Sequence, residues 1–218
     1  LEGGFLGTML VREGMLVGKG QDRVQLDPTR FEAQQNEGQA KRIALLATVA
    51  RLQAEALGKS LKFPPEVLAN QAVVQGETES YEARRQALNE AVGVTRRSLS
   101  LLQRELRMSE RLAASGLMSE VEVMRLQRQA NDLGLQIQER VNRFRQDASA
   151  ELVKARTELA QLEEQMVVKQ DVLSRTTLKS PVRGLVKNIR IPTVGAVVQP
   201  GAATMEMGPR GRRALLGA

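Results

Sequence analysis

From Ser119 to Ser180 no proline interrupts the chain, and apolar or small residues recur at intervals of three and four. The series runs Val123, Leu126, Ala130, Leu133, Ile137, Val141, Phe144, Ala148, Leu152, Ala155, Leu159, Leu162, Met166 and Leu173, with Lys169 as its polar member. Such a pattern specifies one long helix whose apolar seam must be covered by another helix. The spacing runs four-four near Ile137 and Ala148, which locally relaxes a left-handed supercoil. At 1.5 Å per residue this helix reaches roughly 80 Å.

A matching seam lies upstream. Tyr81, Arg85, Leu88, Val92, Thr95, Leu99, Leu102, Leu106, Ser109 and Ala113 alternate spacings of four and three, the heptad signature of a coiled coil about 60 Å long. Only residues 115–118 link the two helices, and so short a link favours antiparallel neighbours. Ser119 is a good N-cap, and Glu122 three residues on predicts a capping box. An earlier helix opens at Asp27 and Pro28, carries Phe31, Gly38, Leu45, Val49, Leu52 and Ala56 on one face, and stops at Gly58. Pro64 and Pro65 cannot lie inside a regular helix, so a short turn is expected near Glu66–Asn70. The predicted helices are thus about 28–57, 76–114 and 119–175, with the tip at 115–118.

Strand-like segments flank this helical middle. Residues 1–30 are Gly-rich with turns at Gly14 and Gly18–Gly20, and residues 176–207 alternate around Val186, Ile189, Ile191 and Val197. A hairpin brings the two ends together, so that they form one domain. The fold class expected is mainly α: a long antiparallel coiled-coil hairpin of three helices with a small β domain assembled from both chain ends.

Composition removes most chemistry. The 218 residues include no His, Cys or Trp, so there is no imidazole base, thiolate nucleophile or ordinary zinc site. Gly14 to Gly20 lacks the spacing and the Ser or Thr of a phosphate loop. Glu163 and Glu164 point about 100° apart on a helix and cannot flank one substrate. Ser115 and Ser119 have no base at helical spacing. No enzyme, cofactor or metal is expected. The net charge of +7 includes Arg210, Arg212 and Arg213 of the last eleven residues. Elsewhere acids and bases alternate, as at Glu82, Arg84 and Arg85, which reads as a solvated helical surface rather than a nucleic-acid interface. The longest apolar run, Ile43 to Ala50, is too short to span a membrane. Leu112, Leu117 and Met118 at the helix reversal stand out, because apolar groups at such a tip point to a partner.

Three stretches carry a family resemblance: Leu1 to Gly4 with Val11–Gly14, Val17–Gln21 and Val24–Pro28; Glu110 to Glu122; and Thr177 to Val186 with Val194–Gly201. Together they resemble the periplasmic membrane fusion (adaptor) proteins of the haemolysin-D family, type I secretion branch, similar to adaptors that export adhesins. The resemblance implies that residues 1–30 and 176–207 are halves of one lipoyl-like domain, with 31–175 as the hairpin domain. It implies a periplasmic location beside an inner-membrane anchor, and self-association into a ring, a hexamer in the family. It further implies partnership with an inner-membrane ABC transporter and an outer-membrane TolC-like channel, with a large adhesin or RTX protein as cargo.

The family's tip pattern of Arg, Leu and Ser is matched by Leu112 and Ser119. Its arginine falls on Met108, leaving Arg107 and Arg111 as neighbours. The channel-docking set implied is Arg107, Arg111, Leu112, Gly116, Leu117, Met118 and Ser119. No swinging-arm modification is implied. The family's anchor and β-barrel patterns do not occur in this chain, and residues 208–218 read as a non-native or disordered tail. A drug-efflux adaptor of the same architecture and a cytoplasmic coiled-coil scaffold are the alternatives.

Overall fold

In the segment Asp22–Leu26, Val24 and Leu26 are buried while their neighbours reach solvent. That alternation makes a strand with one covered face, and it recurs at both ends of the chain. The computed structural model describes residues 3–190, 193–199 and 203–209. They divide into two compact units: residues up to 40 together with those from 161 onward, and residues 41–160.

The first unit holds seven strands: β1 (Gly4–Met9), β2 (Leu16–Val17), β3 (Asp22–Leu26), β4 (Thr177–Lys179), β5 (Gly184–Ile189), β6 (Val197–Val198) and β7 (Met205–Pro209). They form a four-stranded sheet in the order β4-β3-β1-β6 and a three-stranded sheet in the order β2-β5-β7. Every pairing is antiparallel: Leu6 faces Leu26, Gly4 faces Val198, Leu16 faces Leu185, and Val24 faces Leu178. Each sheet therefore contains strands from both chain ends: the first-end pair β3-β1 is flanked by β4 and β6, and the second-end pair β5-β7 is joined by β2. The core is correspondingly mixed, with Leu6, Val17 and Val24 from the first end packed with Val186, Val198 and Met205 from the second.

One boundary differs from the sequence reading. β7 pairs with β5 as far as Pro209 opposite Gly184, so Gly208 and Pro209 are strand residues rather than the start of a tail. Residues 210–218, Leu1, Ile191, and Pro200 and Gly201 of the resembling stretch lie outside the described residues.

Four helices follow the first strands: α1 (Thr29–Leu57), α2 (Pro65–Leu68), α3 (Gln71–Ala114) and α4 (Glu120–Arg175). Asp27 accepts hydrogen bonds from the Thr29 amide and hydroxyl at 3.0 and 2.6 Å, and these hold its carboxyl below the usual range. Gln35 donates to Gln170 at 2.5 Å, so the opening turns of α1 and the last turns of α4 cluster with the strands. α3 starts at Gln71, earlier than its seam suggests, because Asn70 accepts from the Val73 amide and caps it. Gly58 ends α1 in the left-handed region at φ 64°. Its amide and that of Lys59 donate to Glu55 and Ala54, the Schellman arrangement that favours glycine.

The α3 seam is buried or half-buried at every expected position except Arg85, which is exposed, and the α4 seam is covered throughout. Among the described residues no helix is long and apolar enough to cross a membrane.

Candidate functional site at the hairpin tip

α3 and α4 are joined by a reversal whose geometry follows from Gly116. Its φ is 72°, and it donates to Ala113 at 2.9 Å while Leu117 donates to Leu112 at 2.9 Å. This is a second Schellman turn. It normally brings together the side chains now occupied by Leu117 and Leu112, yet both remain open to solvent, at 76% and 46% exposure. Met108 is also exposed. Met118 is only half-buried, so one of the two apolar residues expected at the surface is partly withdrawn.

Ser119 caps α4 by accepting from the Val121 amide at 3.2 Å. The expected capping box does not close. Glu122 pairs with Arg125 on the following turn, because a guanidinium three residues on competes for the carboxylate. Removing the cap by Ser119→Ala is expected to lower stability by about 0.5–2 kcal/mol, read as an earlier thermal midpoint by circular dichroism. Arg107 and Arg111 are exposed, and neither enters an ion pair among the described residues. The tip thus carries exposed Leu117 and Leu112, with the exposed Arg107 and Arg111, unpaired among the described residues, on the last turns of α3.

A second polar cluster escaped the sequence reading. Arg51 and Glu55 on α1 are buried, and Arg51 contacts Glu77 at 2.5 Å and Glu55 at 3.0 Å. Arg84 reaches Glu151 at 2.9 Å and Glu55 at 3.3 Å, with its guanidinium over the Phe144 ring. Of the alternating charges read as a solvated surface, Glu82 and Arg85 are exposed, and Arg84 is half-buried, drawn toward Glu55 and Glu151. Burial pulls Arg51 down, but hydrogen bonds from Arg51 to Glu77 and Glu55 outweigh it and leave its pKa raised. The hydrogen bond from Arg84 holds Glu151 below the ordinary carboxylate range. Placement of Arg51 and Glu55 one turn apart, bordering Leu52, was the available signal.

Comparison with known proteins agrees with this architecture. No family model matches the chain. In sequence it is 27% identical, over an alignment of 259 positions, to the type I secretion system membrane fusion protein PrsE of Rhizobium meliloti (strain 1021). That alignment takes in 96% of this chain and 59% of the relative, so the chain spans somewhat more than half the relative's length. In structure it is similar to the soluble domain of LipC, a membrane fusion protein of a type I secretion system, with a TM-score of 0.65 at 23% identity over 96% of this chain and 97% of that one. It is also similar to the periplasmic adaptor protein EmrA, with a TM-score of 0.51 at 20% identity over 94% of this chain and 68% of the other. These structural likenesses establish the fold: a helical hairpin with a β domain woven from both chain ends. The resemblance to haemolysin-D-type membrane fusion proteins of the type I secretion branch therefore stands on a sequence relationship and on a shared fold.

Proposed function

We propose that this chain is the periplasmic part of a type I secretion adaptor. In this reading the full-length protein is anchored in the inner membrane beside an ABC transporter, and its hairpin tip docks on an outer-membrane TolC-like channel. The exported cargo is a large protein of the adhesin or RTX class. The observation that carries the reading is the tip itself, where Leu117 is 76% exposed on a hydrogen-bonded turn with Gly116 at φ 72°. Leu112, Leu117 and Met118 are grouped at this reversal, and grouped exposed apolar surface marks a contact for another protein. Leu112 and Met118 support Leu117 from either side of the turn. Arg107 and Arg111 supply donors for carbonyls or acids across the junction.

Self-association into a ring, a hexamer by the family resemblance, belongs to the same proposal. It is supported by Val94, Leu101 and Met108, spaced seven residues apart on α3 and all exposed. A helix face with that repeat is suited to another helix, and head-to-tail contacts that close give cyclic symmetry.

The test exploits the absence of cysteine from this sequence. Leu117→Cys in the full-length protein, treated with a short cross-linker in its source cell, is expected to capture an outer-membrane channel. Moving the cysteine to mid-helix, as Gln136→Cys, is expected to abolish that capture. Cross-links confined to copies of the adaptor or to cytoplasmic proteins refute tip docking and favour a scaffold.

A further inference from the structure

The whole chain holds four phenylalanines and one tyrosine, yet two of these rings, Tyr81 and Phe144, line a single cavity of about 240 Å³ within the unit of residues 41–160. Leu88 and Val141 complete an apolar wall with them. Tyr81 is buried, and its hydroxyl donates to the Lys59 carbonyl at 2.9 Å. That bond fixes the turn that ends α1, so the cavity is bounded by this turn and by α1, α3 and α4. Its volume lies just below the roughly 300–1,000 Å³ of small-molecule sites, enough for one ring with a short chain. The Arg84 guanidinium, 5.8 Å from the Phe144 ring centroid, is already paired with Glu151.

Charges around this cavity are sorted by depth. Glu55 is buried at the closed end and already neutralised by Arg51 and Arg84. Lys59, Arg85 and Arg145 also line the cavity but are exposed, which places them where it opens. A Cβ on Gly58 would meet the Arg145 guanidinium at 3.1 Å, so that group lies directly against the turn. None of the three cationic groups enters an ion pair or a side-chain hydrogen bond among the described residues. Glu82 and Glu90, the acids nearest Arg85 along α3, line a neighbouring groove instead. Like charges around an apolar cleft focus a field that concentrates anions, while the aromatic wall inside favours a ring. We propose that this cavity binds a small aromatic carboxylate, its ring inside against Tyr81, Leu88 and Val141 and its carboxylate at the mouth on Lys59, Arg85 and Arg145. Glu55 sets the orientation: a carboxylate at the closed end meets a buried like charge, whereas at the mouth it meets three opposite ones.

A built-in reporter exists, because Tyr81 is the sole tyrosine of a chain without tryptophan. The experiment adds phenylpropanoate to the 218-residue chain at fixed ionic strength and follows the Tyr81 ring signals by nuclear magnetic resonance. Saturable shifts with a dissociation constant on the order of 1 mM or tighter are expected for a ligand of this size. Phenylpropanamide, which keeps the ring and removes the charge, is expected to bind about tenfold more weakly. Arg85→Gln combined with Arg145→Gln is expected to cause a similar loss for phenylpropanoate. Arg104→Gln combined with Arg143→Gln removes the same net charge from exposed positions outside the cavity and is expected to leave the constant unchanged. Absence of a saturable shift up to about 10 mM overturns the site. Equal binding of the amide overturns it as well, since apolar contact alone then explains the shift. Equal losses in the two variant pairs, which mean attraction to the net charge of the protein, do the same. The cavity contains no residue of the tip, so none of these outcomes bears on tip docking.

Discussion

Arg51→Met is expected to destabilise the helical unit by about 3–5 kcal/mol, the usual cost of breaking a buried ion pair from one side. The cluster holds three carboxylates against two guanidinium groups, one negative charge in excess. Removing Arg51 widens that excess and leaves Glu55, with a side chain 1% accessible, to Arg84 alone. The same reasoning makes Glu55→Gln mild, on the order of 1 kcal/mol. Arg51 keeps Glu77, and Arg84 keeps Glu151. Two substitutions within one hydrogen-bonded pair should thus differ severalfold, and in a direction that burial alone does not predict, since Glu55 is the more buried partner. A urea titration followed at Tyr81 measures both. Equal losses would mean that packing around the pair, rather than its charge balance, sets the stability.

The two halves of the molecule were not equally legible in the sequence. The hairpin seams were read position by position because a heptad records burial directly: a residue either returns to the shared face every three or four steps or leaves it. Arg85 broke the pattern because its seam position lies where the cavity opens, beside the end of α1. Leu117 announced itself by chemistry and Gly116 by conformation. Met118 is half-buried, although its place beside Leu117 at the helix reversal suggests full exposure. Harder to read were the features that depend on which of two partners a group chooses. Glu122 had both the Ser119 amide and Arg125 within reach, and spacing alone does not rank a backbone donor against a guanidinium. Arg51, Glu55 and Arg84 look like any alternating surface charges until α1 is laid against α3 and α4. The end of the β unit was misjudged for a similar reason. Met205 and Met207 alternate with polar or small residues over too short a run to announce a strand, and what makes β7 a strand is pairing with β5.

Leu26→Ala is expected to cost the β unit about 2–5 kcal/mol, the range for deleting a buried leucine side chain from a packed core. Leu26 is 2% exposed, faces Leu6 across the β1–β3 ladder, and donates its amide to Thr176 at 2.9 Å. The core around it contains no aromatic ring, so the cavity left by the side chain has only aliphatic neighbours to collapse into it. Phe5→Ala supplies the contrast: the larger residue is 60% exposed, and its loss is expected to stay within about 0.5 kcal/mol. Amide hydrogen exchange reads the consequence strand by strand. Because the pair β3-β1 is flanked by β4 and β6 from the other end, and β5-β7 is joined by β2, neither sheet is complete with one chain end alone. Protection should therefore fall together at the Leu26 amide, bonded to Thr176, and at the Gly14 amide, bonded to Val186. Loss confined to residues 4–26 would mean that the two ends fold as separate pieces, and the woven order of the strands would then not be the source of the unit's cooperativity.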